Sequence, residues 1–291
     1  MIRGIIYSII SSLLFGGVYF LATLIQPVSG EGLYGLRLFV TTPFVILALI
    51  LLNQQKEFVL LLKRLVTEPQ LIIIVLITAT SMGIQMWLYL WAPNNGKAID
   101  VSIGYLLMPL VMVLFGKVFY KERLSRWKKV AILFAAIGVV SKVILTGVFS
   151  WESALVCIGY PVYFGLRKTF KLATLSVFLL EMLILIPSGI YFVAQVDLSY
   201  SYAQNANFYL WLFLLGLVGG VALILYILCS QLIPINLLGL LGYLEPLSML
   251  IVSFIIGESL QSNSYMLMFC LTIAIVLLII DGVVAFKRQS I

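Results

Sequence analysis

The chain contains no histidine among its 291 residues. That removes the commonest metal ligand and the side chain most ready to change charge near neutral pH. Its three cysteines, Cys157, Cys229 and Cys270, lie far apart in apolar stretches and form no CxxC pair. This spacing argues against structural zinc and against a disulfide framework, and leaves them as small core residues. No Walker A loop, HExxH pair, DDxxD-type metal cluster or nucleophile elbow occurs. No loop is long enough to house a catalytic domain, so neither an enzyme nor a metal or cofactor site is expected. Charge is scarce as well. Asp, Glu, Lys and Arg make up 10% of the chain, against about 25% in a soluble domain.

What is present is apolar. Hydrophobic residues reach 63% and the mean hydropathy is +1.17, which places the chain in a membrane. The short alternating segments of a membrane β-barrel are absent. Apolar windows of the length that crosses a ~30 Å hydrocarbon core as helix fall near 4–25, 31–52, 70–92, 99–119, 127–147, 151–169, 173–194, 208–230, 236–257 and 263–286. Gln26-Pro27, Glu68-Pro69, Pro93-Asn94-Asn95-Gly96 and the polar run 200–207 separate them. The first window has no polar cleavage region and reads as a retained helix.

Basic residues cluster in alternate loops: Lys56, Lys63 and Arg64; Lys121, Arg123, Arg126, Lys128 and Lys129; Arg167, Lys168 and Lys171. The positive-inside rule then puts both termini and these loops in the cytoplasm. The same rule accounts for a net charge of +7 without any nucleic-acid partner.

A weak internal echo appears at a spacing of 144 residues. Val18-Tyr19-Phe20 recurs as Val162-Tyr163-Phe164, Arg37 with Pro43 recurs as Glu181 with Pro187, and Gly138-Val139-Val140 recurs as Gly282-Val283-Val284. Two halves follow, 1–147 and 151–291, each of five helices. An odd number per half makes their topologies inverted, the arrangement suited to alternating access.

The echoed charges stand inside apolar windows, where an ionised Arg costs at least ~2.5 kcal/mol. Arg37 and Glu181 are therefore candidates for solute contact, although inversion sets them on opposite sides of the midplane, roughly 10 Å apart along the normal. Glu245, within the ninth window, and Glu181 are the candidates for carrying a coupling proton. Tyr105 and Tyr243 sit in the similar runs Gly104-Tyr105-Leu106 and Gly242-Tyr243-Leu244, and with Trp87 they could line a solute path or simply pack. Pro43, Pro187, Pro109 and Pro246 are the expected hinges. Asp100 is expected to cap the fourth helix. Gly216 and Gly220 form a G-x-x-x-G pattern suited to close packing.

The stretch from Trp87, W-L-Y-L-W-A-P-N-N, then D-V-S-I-G-Y-L-L-M-P-L-V and G-K-V-F-Y-K-E-R, resembles the RarD family of EamA-type permeases in the drug/metabolite transporter superfamily. Tyr163 to Lys168, Glu181 with Pro187, and Tyr243 with Pro246 extend the resemblance over nearly the whole chain. Met86 and Met108 replace asparagines expected from that pattern, Asp100 replaces a glutamate, and Glu245 replaces a small residue. The resemblance implies an all-α membrane fold of ten helices in two inverted five-helix repeats around a central cavity. It implies a secondary transporter of a small organic metabolite or drug-like solute. A channel-like uniporter, a lipid flippase and a non-transporting scaffold are the alternatives. The expected partners are the solute and membrane lipid, with a homodimer left open.

Overall fold

The structure, a computed structural model, describes residues 2–121, 124–233, 237–238 and 241–289. Glu122 and Arg123 of the resembling stretch lie outside these. In lipid no water is present to satisfy backbone groups, so each spanning segment closes its own hydrogen bonds as helix. The helices are α1 (Ile2–Leu24), α2 (Gly30–Leu51), α3 (Gln55–Thr67), α4 (Gln70–Trp91), α5 (Ala98–Tyr120), α6 (Arg126–Thr146), α7 (Trp151–Thr169), α8 (Leu175–Val193), α9 (Leu198–Gln204), α10 (Phe208–Leu232), α11 (Leu244–Ile255) and α12 (Tyr265–Gln289). Starts are set locally. Ser29, Ser125, Thr174 and Asp197 each accept a backbone N–H from the first turn that follows.

Eight of the described helices are long and apolar enough to cross a membrane. Bulky apolar side chains on them stand open, among them Ile73, Ile144, Phe213 and Phe269. Surfaces of that kind suit lipid and not water. Two helices interrupt the expected pattern. The short α9 occupies the polar run 198–204. The segment read as a loop at 55–67 is α3, whose 13 residues extend only about 20 Å. That length cannot cross the hydrocarbon, so α3 lies against its neighbours by Leu61, which packs with Val75, Leu172 and Val177.

The ninth window also differs. Residues 237–238 and 241 are helical, a turn falls at Gly242-Tyr243, and α11 begins at Leu244. Glu245 and Pro246 consequently stand in a first helical turn and not inside a helix. A proline there interrupts no hydrogen bond, so Pro246 is a helix starter and not a mid-helix hinge. Pro43, Pro109 and Pro187 do sit inside α2, α5 and α8, and Pro161 sits inside α7.

The chain forms two compact units, each drawing on both sequence halves. The first comprises Met1–Gly16, Gly96–Pro161 and Leu225–Ile291, and the second Gly17–Asn95 and Val162–Ile224. In the first unit α6 packs along α12 and α5 along α11. Its core gathers Ile103, Leu106 and Leu110 of α5 with Ala131, Ala135, Leu250, Leu271 and Ala274. A Cβ on Gly138 would come within 2.9 Å of Cys270, so the small residue sets how closely α6 approaches α12.

In the second unit α2 packs on α8 and α4. Lipid tails offer helices no hydrophobic drive to associate, so close fit has to hold them. A Cβ on Gly35 would lie 2.8 Å from the Gly189 carbonyl oxygen. The G-x-x-x-G of α10 faces α2: a Cβ on Gly216 would meet Val40, and one on Gly220 would overlap Phe44.

Candidate functional site

The second unit holds the buried charges. Glu181 of α8 is fully buried. Its Oε2 accepts the Tyr163 hydroxyl at 2.9 Å and lies 3.6 Å from Nη1 of Arg167. Arg167 also donates from Nη1 to the Tyr163 hydroxyl, from Nε to the Leu172 carbonyl at 3.0 Å and from Nη2 to the Thr174 carbonyl at 2.7 Å. Every part of the guanidinium therefore has an acceptor. Arg167, counted above among the loop cations, is instead buried and stitches the end of α7 to the start of α8. The i,i+4 spacing of Tyr163 and Arg167 was the available signal for this knot, but the sequence does not say which carboxylate completes it.

Arg37 is treated very differently. It lies in α2 about 10 Å from the helix start, half-buried, with its guanidinium carbon 5.2 Å from the centre of the Tyr89 ring. Tyr19 meets that ring edge-on at 4.9 Å. Among the described residues no carboxylate pairs with Arg37, and its Nε is buried without a hydrogen-bond partner. The cation–π contact returns about 0.5–2 kcal/mol, at or below the least cost of placing the charge there. One turn further along α2, the buried Thr41 hydroxyl is also without a partner. Arg37 and Glu181 share a unit but do not pair.

Trp87 is half-buried nearer the end of α4. It donates from Nε1 to Glu31 Oε1 at 3.1 Å and tilts against Trp91 at 5.5 Å. Tyr34 meets Ser188 hydroxyl to hydroxyl at 3.0 Å, tying α2 to α8.

Tyr105, Tyr243 and Glu245 belong to the first unit. Tyr105 is buried, and its hydroxyl bonds to that of Tyr160 at 2.8 Å with ring centres 5.3 Å apart. Tyr243 is buried in the core formed by α5, α11 and α12, its hydroxyl without a partner. Glu245 is half-buried in the first turn of α11.

The start of α5 corrects another expectation. Its cap is Glu258 and not Asp100: the two Glu258 oxygens accept the N–H groups of Ala98 and Ile99 at 2.7 Å each. Asp100 instead pairs with Lys97 at 3.4 Å, and Lys97 also reaches the buried Glu152 at 3.4 Å. Burial works against the Lys97 charge, yet Glu152 and Asp100 outweigh it and raise its pKa above the ordinary lysine value. The cap was not legible locally because Glu258 is distant in sequence from the amides it serves.

Apolar helices of spanning length, with charges sequestered among them, define a multi-pass membrane protein. The sequence model of the EamA-like transporter family matches residues 2–144. An uncharacterized transporter of Pasteurella multocida is 50% identical over 289 residues, covering 99% of each chain. One of Haemophilus influenzae is 46% identical over 293 residues, covering 100% of this chain and 98% of that protein. The chloramphenicol-sensitive protein RarD of Pseudomonas aeruginosa is 34% identical over 263 residues, covering 89% of this chain and 87% of that one. A protein of known crystal structure superposes with a TM-score of 0.55 at 16% identity, over 96% of this chain and 95% of its own, which is a likeness of fold. The chain belongs to the EamA-like transporter family and, within the drug/metabolite transporter superfamily, to its RarD-type members.

Proposed function

We propose that the protein is a secondary transporter that moves a small organic solute by alternating access. The observation that carries this reading is where the chain passes between its compact units. Inside α1 it does so at Gly16-Gly17, inside α7 at Pro161-Val162 and inside α10 at Ile224-Leu225, besides the loop passage at Asn95-Gly96. Gly17 and Pro161 are equivalent under the 144-residue shift. Both residues loosen a helix, glycine through backbone freedom and proline by removing a hydrogen bond. Two equivalent soft points, one in the first helix of each half, suit a carrier whose halves exchange conformations.

In this reading α7, and α11 together with the segment that precedes it in the ninth apolar window, join the eight long apolar helices as the remaining crossings. The halves 1–147 and 151–291 are inverted repeats, and the basic loops and both termini face the cytoplasm of a bacterial inner membrane. Arg37 is the solute's electrostatic contact. Glu245, half-buried at the start of α11, is the group best placed to carry a coupling proton, because Glu181 is committed to Arg167. Tyr105 and Tyr243 serve chiefly as packing that fixes α5 and α11.

Reconstitution in liposomes tests the proposal. A carrier shows saturable flux and accelerates exchange of labelled solute when unlabelled solute is present on the far side. Linear, unsaturable flux would identify a channel instead.

A further inference from the structure

Within the second unit, the two orphaned polar atoms of α2 belong to residues four apart, Arg37 and Thr41. Side chains at that spacing point to one face of a helix, with Cβ atoms about 5–6 Å apart, so a single small group can reach both. Opposite Arg37 stands Tyr89 of α4, presenting its ring face to the guanidinium. Gln85, buried one turn from Tyr89 on α4, adds an amide to an otherwise apolar span. Glu181, the buried carboxylate of α8, is held through Oε2 by Arg167 and Tyr163.

A membrane-embedded cation with no carboxylate partner among the described residues, beside an unused hydroxyl donor, is arranged for an anion that is not part of the chain. We infer that the transported solute carries a carboxylate, which docks on Arg37 Nε and the Thr41 hydroxyl, with the body of the solute against the Tyr89 ring. Arg37 supplies one positive charge, so a monoanionic carboxylate balances it, whereas a phosphate dianion would remain half neutralised in a low-dielectric setting. The guanidinium's planar edge also matches carboxylate geometry better than an ammonium would. This assignment rests on the transporter reading and adds the chemical class of its solute.

The probe is a panel of small aliphatic, aromatic and amino-acid carboxylates, each beside its uncharged amide. Thermal unfolding of the purified full chain is followed with each compound, because a ligand that binds the folded state raises Tm. At least one carboxylate should protect while its amide does not. Arg37→Gln should weaken that protection about tenfold or more, and Arg37→Lys should retain part of it. Thr41→Val, which keeps the charge, should weaken it severalfold, so the assignment remains testable if the Arg37 variants fold poorly. Protection by amides as strong as by carboxylates, full protection in Arg37→Gln, or no protection by any carboxylate would overturn the inference. Flux measurements separate the two levels. Saturable exchange of a neutral or cationic solute that survives Arg37→Gln removes the carboxylate while leaving the transporter. Absence of saturable flux for the whole panel and for a cell metabolite extract removes both.

Discussion

In the first compact unit the ion pairs gather toward helix ends, whereas the second, besides a helix-end pair of that kind between Arg64 and Glu68, carries Arg37 and Glu181 within apolar helices. Lys97 lies between Asp100 and Glu152, Lys128 lies 3.7 Å from Asp281, Lys142 donates to Asn263 and Ser264 at 2.7 Å, and Glu258 holds two helix amides. The second unit buries Glu181 with Arg167 in a hydrogen-bonded knot and leaves Arg37 on an aromatic face. Charges at helix ends remain near polar headgroups and complement helix dipoles at modest cost. Charges within a span are expensive, and a protein retains them where they serve the fold tightly or serve a ligand. The knot and the lone arginine represent those two cases side by side.

The sharpest way to break this comparison is Arg167→Ala, which strands a buried carboxylate. We expect a loss of about 3–5 kcal/mol, read as a collapse of folded yield and of Tm, with Glu181→Ala on that background restoring part of it. A stability near wild type would show that the knot is not structural. In the first unit, Glu258→Ala leaves the Ala98 and Ile99 amides uncapped and should cost about 1–3 kcal/mol. Hydrogen exchange should accelerate at the first turn of α5 and not at α8, and an unchanged exchange rate there would contradict the cap.

Gly17→Ala addresses the glycine of α1 at which the second compact unit begins. An added Cβ meets only Val218, at 3.9 Å, so the substitution is sterically mild and should gain about 0.5–1 kcal/mol by restricting the unfolded chain and stiffening the helix. Turnover should fall while solute affinity holds; faster turnover would count against flexing at this point. The smallest stability effect is expected for Arg37→Met, which keeps the apolar stem and removes the unpaired charge. Stability should fall by no more than about 0.5 kcal/mol, while solute protection disappears. A loss as large as that of Arg167→Ala would mean that Arg37 belongs to a structural knot of the same kind.

Much of the architecture was legible in the chain itself. Nine of the ten apolar windows emerge as helices with ends close to those expected, and the G-x-x-x-G of α10 does mark a close approach. Both are local properties. A segment in lipid must close its own hydrogen bonds wherever it lies, and small residues at a four-residue spacing clear one helix face regardless of what fills it. The ninth window broke at Gly242-Tyr243, and α3 escaped notice because an amphipathic helix of 13 residues has the charge content of a loop.

Pairing was decided only by the tertiary structure. The sequence set Arg37 and Glu181 at equivalent positions and counted Arg167 with the loop cations. The packing of α7 on α8 gave Glu181 to Arg167 and left Arg37 to Tyr89. The same holds for Glu258, whose amides lie 160 and 159 residues away. Composition and periodicity determine that a helix forms and which charges it must bury, because those costs are paid residue by residue. Which opposite charge or donor arrives within hydrogen-bond reach depends on which helices become neighbours, and no single segment encodes that choice.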